Sequence, residues 1–382
     1  MYVYADNAAT TPMSGTAMRA VEEAMRSLWG NPSSLHGTGQ RAAAALADCR
    51  SRMAGCLGAQ SPDEIVFTGG GSEADNQAIR SAAYTGARNG KKHIVSTAFE
   101  HHAVLRTLDA LAGEGFEITL LPVGGGGVVD PDDVRAAIRS DTALVSAMYA
   151  NNEIGTIQPI REIGRVCRER GVLFHTDAVQ AVGRIPVDVT ADFVDLLSLS
   201  AHKFHGPKGV GALYVRHGTD VLPLILGGGQ ESGRRAGTEN LPGIAGMRAA
   251  LCEAVSGLPE TRVRVAALRD RLVKSLTDAI PGTVLNGTAD RDKRLPGTVS
   301  LCFEGVSGEA VVLRADMAGI ALSAGSACTS GCLEPSHVMT AIGRDPALAL
   351  GAVRISLSEQ TTEAEVSYIA DTLPVIISAL RI

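Results

Sequence analysis

Short apolar runs alternate with helix-type segments between about residues 61 and 214. The runs are residues 64–67, 93–96, 117–121, 144–148, 172–175, 194–199 and 210–215. Their β-branched and aliphatic side chains are typical of buried strands, and the segments 14–28, 73–88 and 160–170 have the spacing of helices. This alternation predicts an α/β fold in which helices cover both faces of a mostly parallel, seven-stranded sheet.

The pattern changes near residues 256–259. A charged helix-type segment (261–280) is followed by β-type segments at 283–285 and 297–303, a helix-type segment from Gly308, a Gly/Ser-rich stretch at 321–334 and a β-type segment near 353–357. Thr362 and Glu365 have the spacing of a capping box for a last helix. This part of the chain predicts a second, smaller α+β domain.

Composition narrows the classes of function. The chain has 382 residues, of which 45% are hydrophobic, and a formal charge of −6. It therefore has no positive field to gather nucleic acid or acidic lipid, and we expect a small-molecule or protein partner. Residues 317–333 are too rich in Gly, Ser and Ala to span a membrane, and the N-terminus lacks the pattern of a secretory signal. We expect a cytoplasmic protein, in which seven dispersed cysteines do not form a disulfide scaffold.

Lys203 is the candidate amine among six lysines. It follows the apolar run 194–199, and burial at a strand end would lower its pKa and make it a nucleophile toward an aldehyde. A lone lysine is usually exposed, so this interpretation depends on its neighbours. Asp177 follows another run, at the edge of the sheet where ligands of open α/β sheets bind. A carboxylate at this edge can pair with the protonated pyridine nitrogen of a bound cofactor. Capping of the next helix explains Asp177 equally well.

Three further segments follow strand-type runs. The glycine turn at 67–73 leads into a helix N-terminus suited to a phosphate, although an ordinary tight turn has the same sequence. His101 opens a helix, where a histidine stacks on a ring, moves protons or is simply structural. The polar cluster 151–153 indicates either turn chemistry or ligand contacts.

Two cysteines lie in the stretch 323–335, which is dominated by Gly, Ala and Ser. This composition predicts a mobile surface loop, in which Cys328 is accessible as a thiolate nucleophile. A metal site of Cys328 and Cys332 would need two more ligands and has only His337 nearby. Cys332 is a resolving thiol, an Fe-S ligand or a neighbour without a role.

Motifs from Asp6 to about Thr362 resemble one family. They are Asp6-Asn-Ala-Ala-Thr-Thr-Pro, Gly30-Asn-Pro-Ser-Ser, Glu100-His, Asn151-Asn-Glu-Ile-Gly, His175-Thr-Asp-Ala-Val-Gln, Ser200-Ala-His-Lys, Gly227-Gly-Gly-Gln-Glu, Gly237-Thr-Glu-Asn and Gly325-Ser-Ala-Cys-Thr-Ser. Together they resemble the pyridoxal-phosphate-dependent cysteine desulfurases of the iron-sulfur-cluster and nitrogen-fixation type, within the class V aminotransferases. The joint presence of the Ala-His-Lys and Ser-Ala-Cys-Thr-Ser elements makes the resemblance specific.

The resemblance implies a homodimer of PLP-dependent transferase fold type I. A large domain (15–256) would bind pyridoxal 5'-phosphate, and a small domain (1–14 with 257–382) would carry the catalytic-cysteine loop at about 321–334. By position, Lys203 would hold the cofactor covalently, Asp177 would pair with its ring nitrogen and His101 would stack on the ring. The other implied contacts are Gln180 and Asn152 at the phenolic oxygen, Gly71, Ser72, Ser200 and His202 at the phosphate, Thr238 at the neighbouring subunit's phosphate, and Asn152 and Arg354 at the substrate, with Arg354 on its carboxylate.

The implied reaction converts L-cysteine to L-alanine. Lys203 would move the α-proton, and Cys328 would take the substrate sulfur as a persulfide for iron-sulfur cluster assembly or tRNA thiolation. No resident metal is implied, although Cys328 is a possible transient Fe-S ligand. A selenocysteine lyase or another class V transaminase is the alternative within the fold. A non-catalytic scaffold and a Cys-ligated metal protein are alternatives of other classes.

Three positions depart from the pattern of the family. Ser72 stands where threonine is common and keeps the hydroxyl, whereas Ser232 stands where arginine is frequent and would alter an interface or substrate-side contact. The sequence ends at Ile382, a helix beyond Arg354, without the longer tail by which some relatives engage a scaffold protein. We expect docking of a scaffold protein to differ accordingly.

Overall fold

The structure is a computed structural model that describes residues 1–325 and 334–381. The strands in this part of the chain are β1 (Val3–Tyr4), β2 (Ile65–Thr68), β3 (His93–Thr97), β4 (Glu117–Leu121), β5 (Thr142–Ser146), β6 (Leu173–Asp177), β7 (Leu196–Ser200), β8 (Gly211–Val215), β9 (Thr283–Leu285), β10 (Thr298–Phe303), β11 (Ile320–Ala321), β12 (Ser323–Ala324) and β13 (Ala352–Ser356). The helices are α1 (Gly15–Ser27), α2 (Gly37–Leu57), α3 (Gly71–Ala87), α4 (His102–Gly113), α5 (Pro131–Ala137), α6 (Ile160–Arg170), α7 (Leu241–Ala279), α8 (Gly308–Met317), α9 (His337–Ala341), α10 (Pro346–Ala349) and α11 (Glu363–Leu380).

The largest sheet within the described residues has seven strands in the order β2-β8-β7-β6-β5-β3-β4. Strand β8 pairs antiparallel with both of its neighbours, and the other pairs are parallel. Strands β3, β5 and β7 are buried along their whole length, as expected for a sheet covered on both faces. The predicted α/β fold with a mostly parallel, seven-stranded sheet is confirmed.

Most of the predicted elements have nearly the observed bounds. Helix α6 spans the predicted residues, and Ser14 caps α1 by accepting a hydrogen bond from Ala17 N at 3.1 Å. Strand β5 ends two residues before the predicted run does. The reason is that Met148 N donates to the Glu100 carboxylate at 2.9 Å, so it is not available to the sheet.

The predicted break near residues 256–259 is wrong, because helix α7 continues through these residues. It is one helix of 39 residues with Pro259 inside, whereas the sequence pattern predicted a helix beginning near residue 261. An interior proline costs a helix roughly 3 kcal/mol. The cost is offset by burial of the helix on both sides of Pro259, because Leu251 packs in the core of the large sheet and Val265 packs in a second core. The predicted division of the chain after residue 256 stays a prediction, and that position lies within α7.

The second core surrounds a four-stranded sheet of order β12-β13-β10-β9, with antiparallel pairs throughout. The N-terminal segment joins it, since Val3 and Ala5 are buried in this core and β1 pairs with β11. Thr362 and Glu365 form the predicted capping box at the start of α11. Among the helices of the described residues, none is long and apolar enough to cross a membrane.

Candidate active site

Lys203 stands in a single helical turn directly after β7. Its Nζ donates to the carbonyl oxygens of Ala8 at 2.8 Å and Ala9 at 2.7 Å, which belong to the N-terminal segment. Burial, helped by the positive charges of Arg184 and Arg354, lowers the pKa of Lys203 to about 8. A larger fraction of this amine is therefore free base near neutral pH than in an exposed lysine, as a nucleophilic amine requires.

Asp177 is the last residue of β6 and is buried. Its Oδ1 accepts a hydrogen bond from Val179 N at 2.9 Å, so the carboxylate supports a turn. The predicted capping of a helix is wrong, because the chain after Asp177 forms turns and the next element is β7. Burial raises the pKa of Asp177, while the charges of His101 and Lys203 act in the opposite direction. The turn contact leaves room for a role toward a ligand, because Asp177 also lines a cavity that contains Lys203.

This cavity has a volume of about 410 Å³. Its lining brings together the predicted site residues Gly71, Ser72, His101, Asn152, Asp177, Gln180, Ser200, His202, Lys203 and Arg354, in addition to Ala8, Ala9, Asp75, Met148, Ala150 and Val179. The residues come from the strand ends of the large sheet, from the N-terminal segment and from β13. A single ligand in the cavity would therefore contact residues of the large sheet as well as residues of the N-terminal segment and of β13.

The N-terminus of α3 forms one end of the cavity. Gly70 precedes the helix and offers no side-chain cap, so the first N–H groups of α3 are not capped by a side chain. A side chain at position 71 is excluded, since a Cβ there would lie 2.6 Å from Val179 Cγ2. Ser72 and Ser200 line the same end. Uncapped N–H groups, a helix dipole and two hydroxyls suit a phosphate group.

His202 and His101 each have a structural contact as well as a place in the cavity wall. His202 Nδ1 is 3.1 Å from Thr10 Oγ1, and burial beside Lys203 lowers the pKa of His202 to about 4. His101 caps α4 by accepting a hydrogen bond from Ala103 N at 3.1 Å, while its side chain remains exposed. An exposed ring at the wall of a cavity is available to stack on a planar ligand.

Adjacent residues of the cluster 151–153 have different contacts. Asn151 folds the turn, because its Oδ1 accepts from Glu153 N at 2.8 Å and Ile154 N at 3.0 Å. Asn152 lines the cavity. Turn chemistry therefore belongs to Asn151, and the ligand contact predicted for Asn152 stays a prediction.

Arg354 reaches the cavity from β13. Its guanidinium donates to Asn152 O at 3.0 Å, to Asp6 Oδ1 at 2.9 Å and to Ser323 Oγ at 3.1 Å. Its Nε is buried and has no hydrogen-bond partner among the described residues. The guanidinium as a whole lines the cavity and suits the carboxylate of a bound ligand.

A buried polar layer lies beside Asp177. His175 is hydrogen-bonded to Ser146 at 2.8 Å and to Ser198 at 3.0 Å, and its Nε2 lies 3.6 Å from Asp75 Oδ1. Burial lowers the pKa of His175 to about 3, so the ring is neutral near pH 7. Burial and the nearby charge of Asp177 raise the pKa of Asp75 well above its usual value. Burial therefore favours the uncharged forms of both His175 and Asp75 in this layer.

Sequence reasoning missed several residues of this site. Arg184 donates to Gln180 Oε1 at 3.0 Å and to Lys203 O at 3.1 Å, and no motif pointed to it. Asp75 had a detectable signal, because it is a charged residue on the helix face that carries the buried Ala78 and Ala82. The carbonyl groups of Ala8 and Ala9 could not be found from side-chain chemistry at all.

Two predicted residues are not brought into this cavity by the described part of the chain. Thr238 is exposed and is not part of the cavity lining, and its predicted contact with a neighbouring subunit stays a prediction. Cys328 lies outside the described residues, as does Cys332. Across residues 1–325 and 334–381, no group of three His, Cys, Asp or Glu side chains is placed to hold a metal ion.

Comparison with known proteins identifies the family of this chain. The sequence model described as Aminotransferase class-V matches residues 3–369. The chain belongs to the class V aminotransferase family. Enzymes of this family depend on pyridoxal phosphate.

Individual relatives of this class V chain carry more specific names. It is 47% identical over 379 residues to cysteine desulfurase IscS of Dictyoglomus turgidum, a match that covers 99% of this chain and 95% of that protein. A solved NifS-like protein has a TM-score of 0.93 and 39% identity, with both chains covered completely. A solved structure of SspA in complex with cysteine has a TM-score of 0.81 and 36% identity, over 94% of this chain and 100% of that one.

The residues of the cavity fit the cofactor of the class V family. The amine of Lys203 suits its aldehyde, the carboxylate of Asp177 its ring nitrogen, and the N-terminus of α3 its phosphate. All three groups line one cavity or its direct extension.

Proposed function

We propose that this protein is a cysteine desulfurase that converts L-cysteine to L-alanine and captures the sulfur as a persulfide on Cys328. The observation that carries the proposal is the meeting of Lys203, Asp177 and Arg354 in one cavity. They supply an amine, a carboxylate for a ring nitrogen and a cation for a substrate carboxylate. The names of relatives at 47% and 39% identity support the same activity.

Pyridoxal phosphate, when bound, supplies an aldehyde for the amino group of the substrate and a ring that withdraws electrons from its α-carbon. Lys203 would hold the aldehyde, and Asp177 would keep a proton on the ring nitrogen. The phosphate would contact N–H groups of α3 and the side chains of Ser72, Ser200 and His202. The ring of His101 would cover one face, and Gln180 and Asn152 would contact the phenolic oxygen.

Each reactive residue has one task on the substrate. Arg354, which lines the cavity, orients L-cysteine by pairing its guanidinium with the substrate carboxylate. The Lys203 amine removes the α-proton, for which its lowered pKa is suited. The Cys328 thiolate attacks the substrate sulfur, so that the C–S bond breaks and an S–S bond forms. One L-cysteine and one enzyme thiol give one L-alanine and one enzyme persulfide.

A selenocysteine lyase or another class V transaminase is the alternative. A transaminase has no use for a cysteine nucleophile, and release of alanine without an amino acceptor would distinguish a desulfurase from it. Comparing alanine formation from L-cysteine and L-selenocysteine would decide between desulfurase and lyase.

The test is product analysis of the purified protein with L-cysteine and a thiol reductant. We expect alanine and sulfide in equal amounts and a visible absorption band from the bound cofactor. Lys203→Ala should lack the band and lose alanine formation by at least about 10³-fold. Cys328→Ser should keep the band and lose sulfide release.

Lys274→Ala is the matched control for the amine, because Lys274 is exposed on α7, where it forms an ion pair with Asp278 at 2.6 Å. It should behave as the unmodified protein. Cys332→Ser is the control for the thiol. Full sulfide release by Cys328→Ser would overturn the assignment of the nucleophile, and alanine formation by Lys203→Ala would overturn that of the amine.

We also propose a homodimer. Large apolar side chains are exposed in two segments of the single chain, with Trp29 72% and Leu35 93% exposed in one and Leu226 80% exposed in the other. A second copy of the chain would remove such surface from water. Sedimentation should give the mass of a dimer, and Leu226→Asp should shift it toward the monomer. A monomeric unmodified protein would refute this proposal.

The physiological sulfur acceptor is proposed to be a protein of iron-sulfur cluster assembly or tRNA thiolation in the cytoplasm. Incubation with labelled L-cysteine and each purified acceptor, followed by mass spectrometry, would locate the transferred sulfur. Label on an acceptor cysteine identifies the recipient. Label that stays on the desulfurase with every acceptor offered would exclude those acceptors.

A further inference from the structure

Two thiols outside the cavity meet between α2 and α7. Cys56 lies in the last turn of α2 and Cys252 in the first half of α7. Their Sγ atoms are 3.7 Å apart, although 196 positions separate them in the chain. Both side chains are partly exposed, whereas Cys49, Cys167 and Cys302 are buried. The proposed desulfurase reaction uses neither of the two.

The charges around this pair favour a thiolate on Cys252. The contact between the two sulfur atoms and the charges of Arg248 and Arg52 lower the pKa of Cys252, while burial acts in the opposite direction. The same contact raises the pKa of Cys56. Asp48 acts against the thiolate, with a smaller effect than either arginine. A thiolate in contact with a thiol, both reachable from solvent, is the arrangement from which thiol–disulfide exchange proceeds.

We propose that Cys56 and Cys252 are a redox-active dithiol, a modification site that closes to a disulfide by reaction with a low-molecular-weight disulfide. In the first step the Cys252 thiolate attacks one sulfur of the small disulfide, whose S–S bond breaks and releases one small thiolate. In the second step the Cys56 sulfur attacks the Cys252 sulfur, and its proton goes to the departing second small thiolate. The protein pair loses two electrons, and the small disulfide is reduced to one thiolate and one thiol.

Formation of the Cys56–Cys252 disulfide requires the two sulfur atoms to move closer together. The two sulfurs must approach from 3.7 Å to about 2.05 Å, the length of a disulfide bond. The bond would join α2 to α7, the helix that contributes buried residues to both cores. The modification would therefore tie α2 covalently to the element that the two parts of the fold share.

Disulfide mapping of the purified holoenzyme tests this proposal. The protein is incubated with oxidised glutathione, free thiols are blocked with iodoacetamide, and the chain is cleaved with trypsin. The expected peptides 42–50, 53–80 and 249–262 each contain a single cysteine, namely Cys49, Cys56 and Cys252. We expect peptides 53–80 and 249–262 to be recovered linked, and to separate after reduction with dithiothreitol.

Single substitutions test the two steps separately. Cys56→Ser should stop the reaction after the first step, so that Cys252 is recovered with one glutathione attached. Cys252→Ser should abolish the link and leave alanine formation from L-cysteine unchanged. Cys49→Ser is the matched control, because burial raises the pKa of Cys49 in spite of the neighbouring Arg248, and this variant should keep the link.

Recovery of Cys56 and Cys252 as separate alkylated peptides from the oxidised enzyme would overturn the proposal. A link between Cys49 and Cys252 in place of the predicted one would do so as well. The readout is independent of sulfur chemistry at the cavity, so a failure here is distinguishable from a failure of the proposed desulfurase activity.

Discussion

The two sides of the cavity are held in different ways. On the sheet side, Asp177 and Ser200 end the parallel strands β6 and β7, and Asp177 and Ser198 are directly paired residues of the two strands. On the arginine side, Asp6, Ser323 and Arg354 come from three separate segments. Backbone pairing places Arg354 opposite Ser323 and Asp6 beside Ser356. Side-chain hydrogen bonds then hold the guanidinium, with Asp6 Oδ1 accepting from Ser323 Oγ at 2.8 Å and from Arg354 at 2.9 Å.

This difference indicates how each side of the cavity responds to amino-acid substitutions. Backbone hydrogen bonds of the sheet set the positions of Asp177 and Ser200, so a substitution that keeps the contact of residue 177 with Val179 N changes the chemistry with little movement of the neighbours. On the arginine side the sheet also fixes the backbone of Arg354, but its guanidinium lies at the end of a long side chain and is held by the side chains of Asp6 and Ser323. A substitution of one residue on that side therefore alters the placement of another. The following predictions test this contrast.

The largest effect is expected on the sheet side. Asp177→Ala should lower alanine formation by about 10³-fold, because the ring nitrogen loses the carboxylate that favours its protonated form. Asp177→Asn separates the two roles of the residue, since its amide oxygen still accepts from Val179 N while the charge is lost. We expect Asn to retain thermal stability and to lose activity as Ala does. Near-normal activity of Asp177→Asn would mean that Asp177 serves only the turn.

A smaller effect is expected at Arg354. Arg354→Ala should lower kcat/KM for L-cysteine by about 10²-fold, mainly through KM, because charge-assisted hydrogen bonds to the carboxylate are lost. Arg354→Lys should recover only part of this loss, since an ammonium group does not reproduce the planar fork. Steady-state kinetics measure both variants. An unchanged KM in Arg354→Ala would contradict the proposed carboxylate contact.

The pH dependence of Lys203 gives a further test of the sheet side. The pKa of Lys203 is lowered to about 8, chiefly by burial, so its free-base fraction rises as the pH rises through that value. The rate at which the apoprotein takes up pyridoxal phosphate should therefore increase roughly fivefold from pH 7 to pH 8 and level off above pH 9. The visible absorption of the bound cofactor follows this reaction. A rate that keeps rising beyond pH 10 would indicate an ordinary exposed lysine.

The smallest effect is expected at Asp6. Asp6→Asn keeps the shape of the side chain and removes its charge, so the ion pair with Arg354 is lost while a hydrogen-bond acceptor remains. A partly exposed ion pair of this kind contributes up to about 1 kcal/mol, and we expect KM to rise about threefold with kcat unchanged. A loss as large as that of Arg354→Ala would give Asp6 a direct role in the reaction.

The sheet side was largely predictable because its chemistry follows strand ends. Lys203, Asp177 and Ser200 come after apolar runs, and parallel strands bring their carboxyl ends to one edge. The arginine side was not predictable from local pattern. Arg354 lies in a strand of the second core, and no period or spacing relates it to Asp6, which is 348 positions away in the chain. The resemblance to a family supplied Arg354 where residue patterns did not.

Helix α7 shows the same limit in the fold. Pro259 and the charged segment after it predicted a break, because local propensity disfavours proline inside a helix. The helix continues because Leu251 and Val265 are buried on either side of that position. Burial in two cores is a property of the folded chain, which no window of sequence around Pro259 contains.

By itself, the sequence determined the alternation of strands and helices, the residues at strand ends and, through its motifs, the class of chemistry. These depend on side-chain type and short-range periodicity, which the order of residues specifies directly. Only the tertiary structure decided which carbonyl groups accept hydrogen bonds from the Lys203 amine, which groups hold the Arg354 guanidinium and that Cys56 lies beside Cys252. Such contacts join positions far apart in the chain, and their formation depends on how whole elements pack.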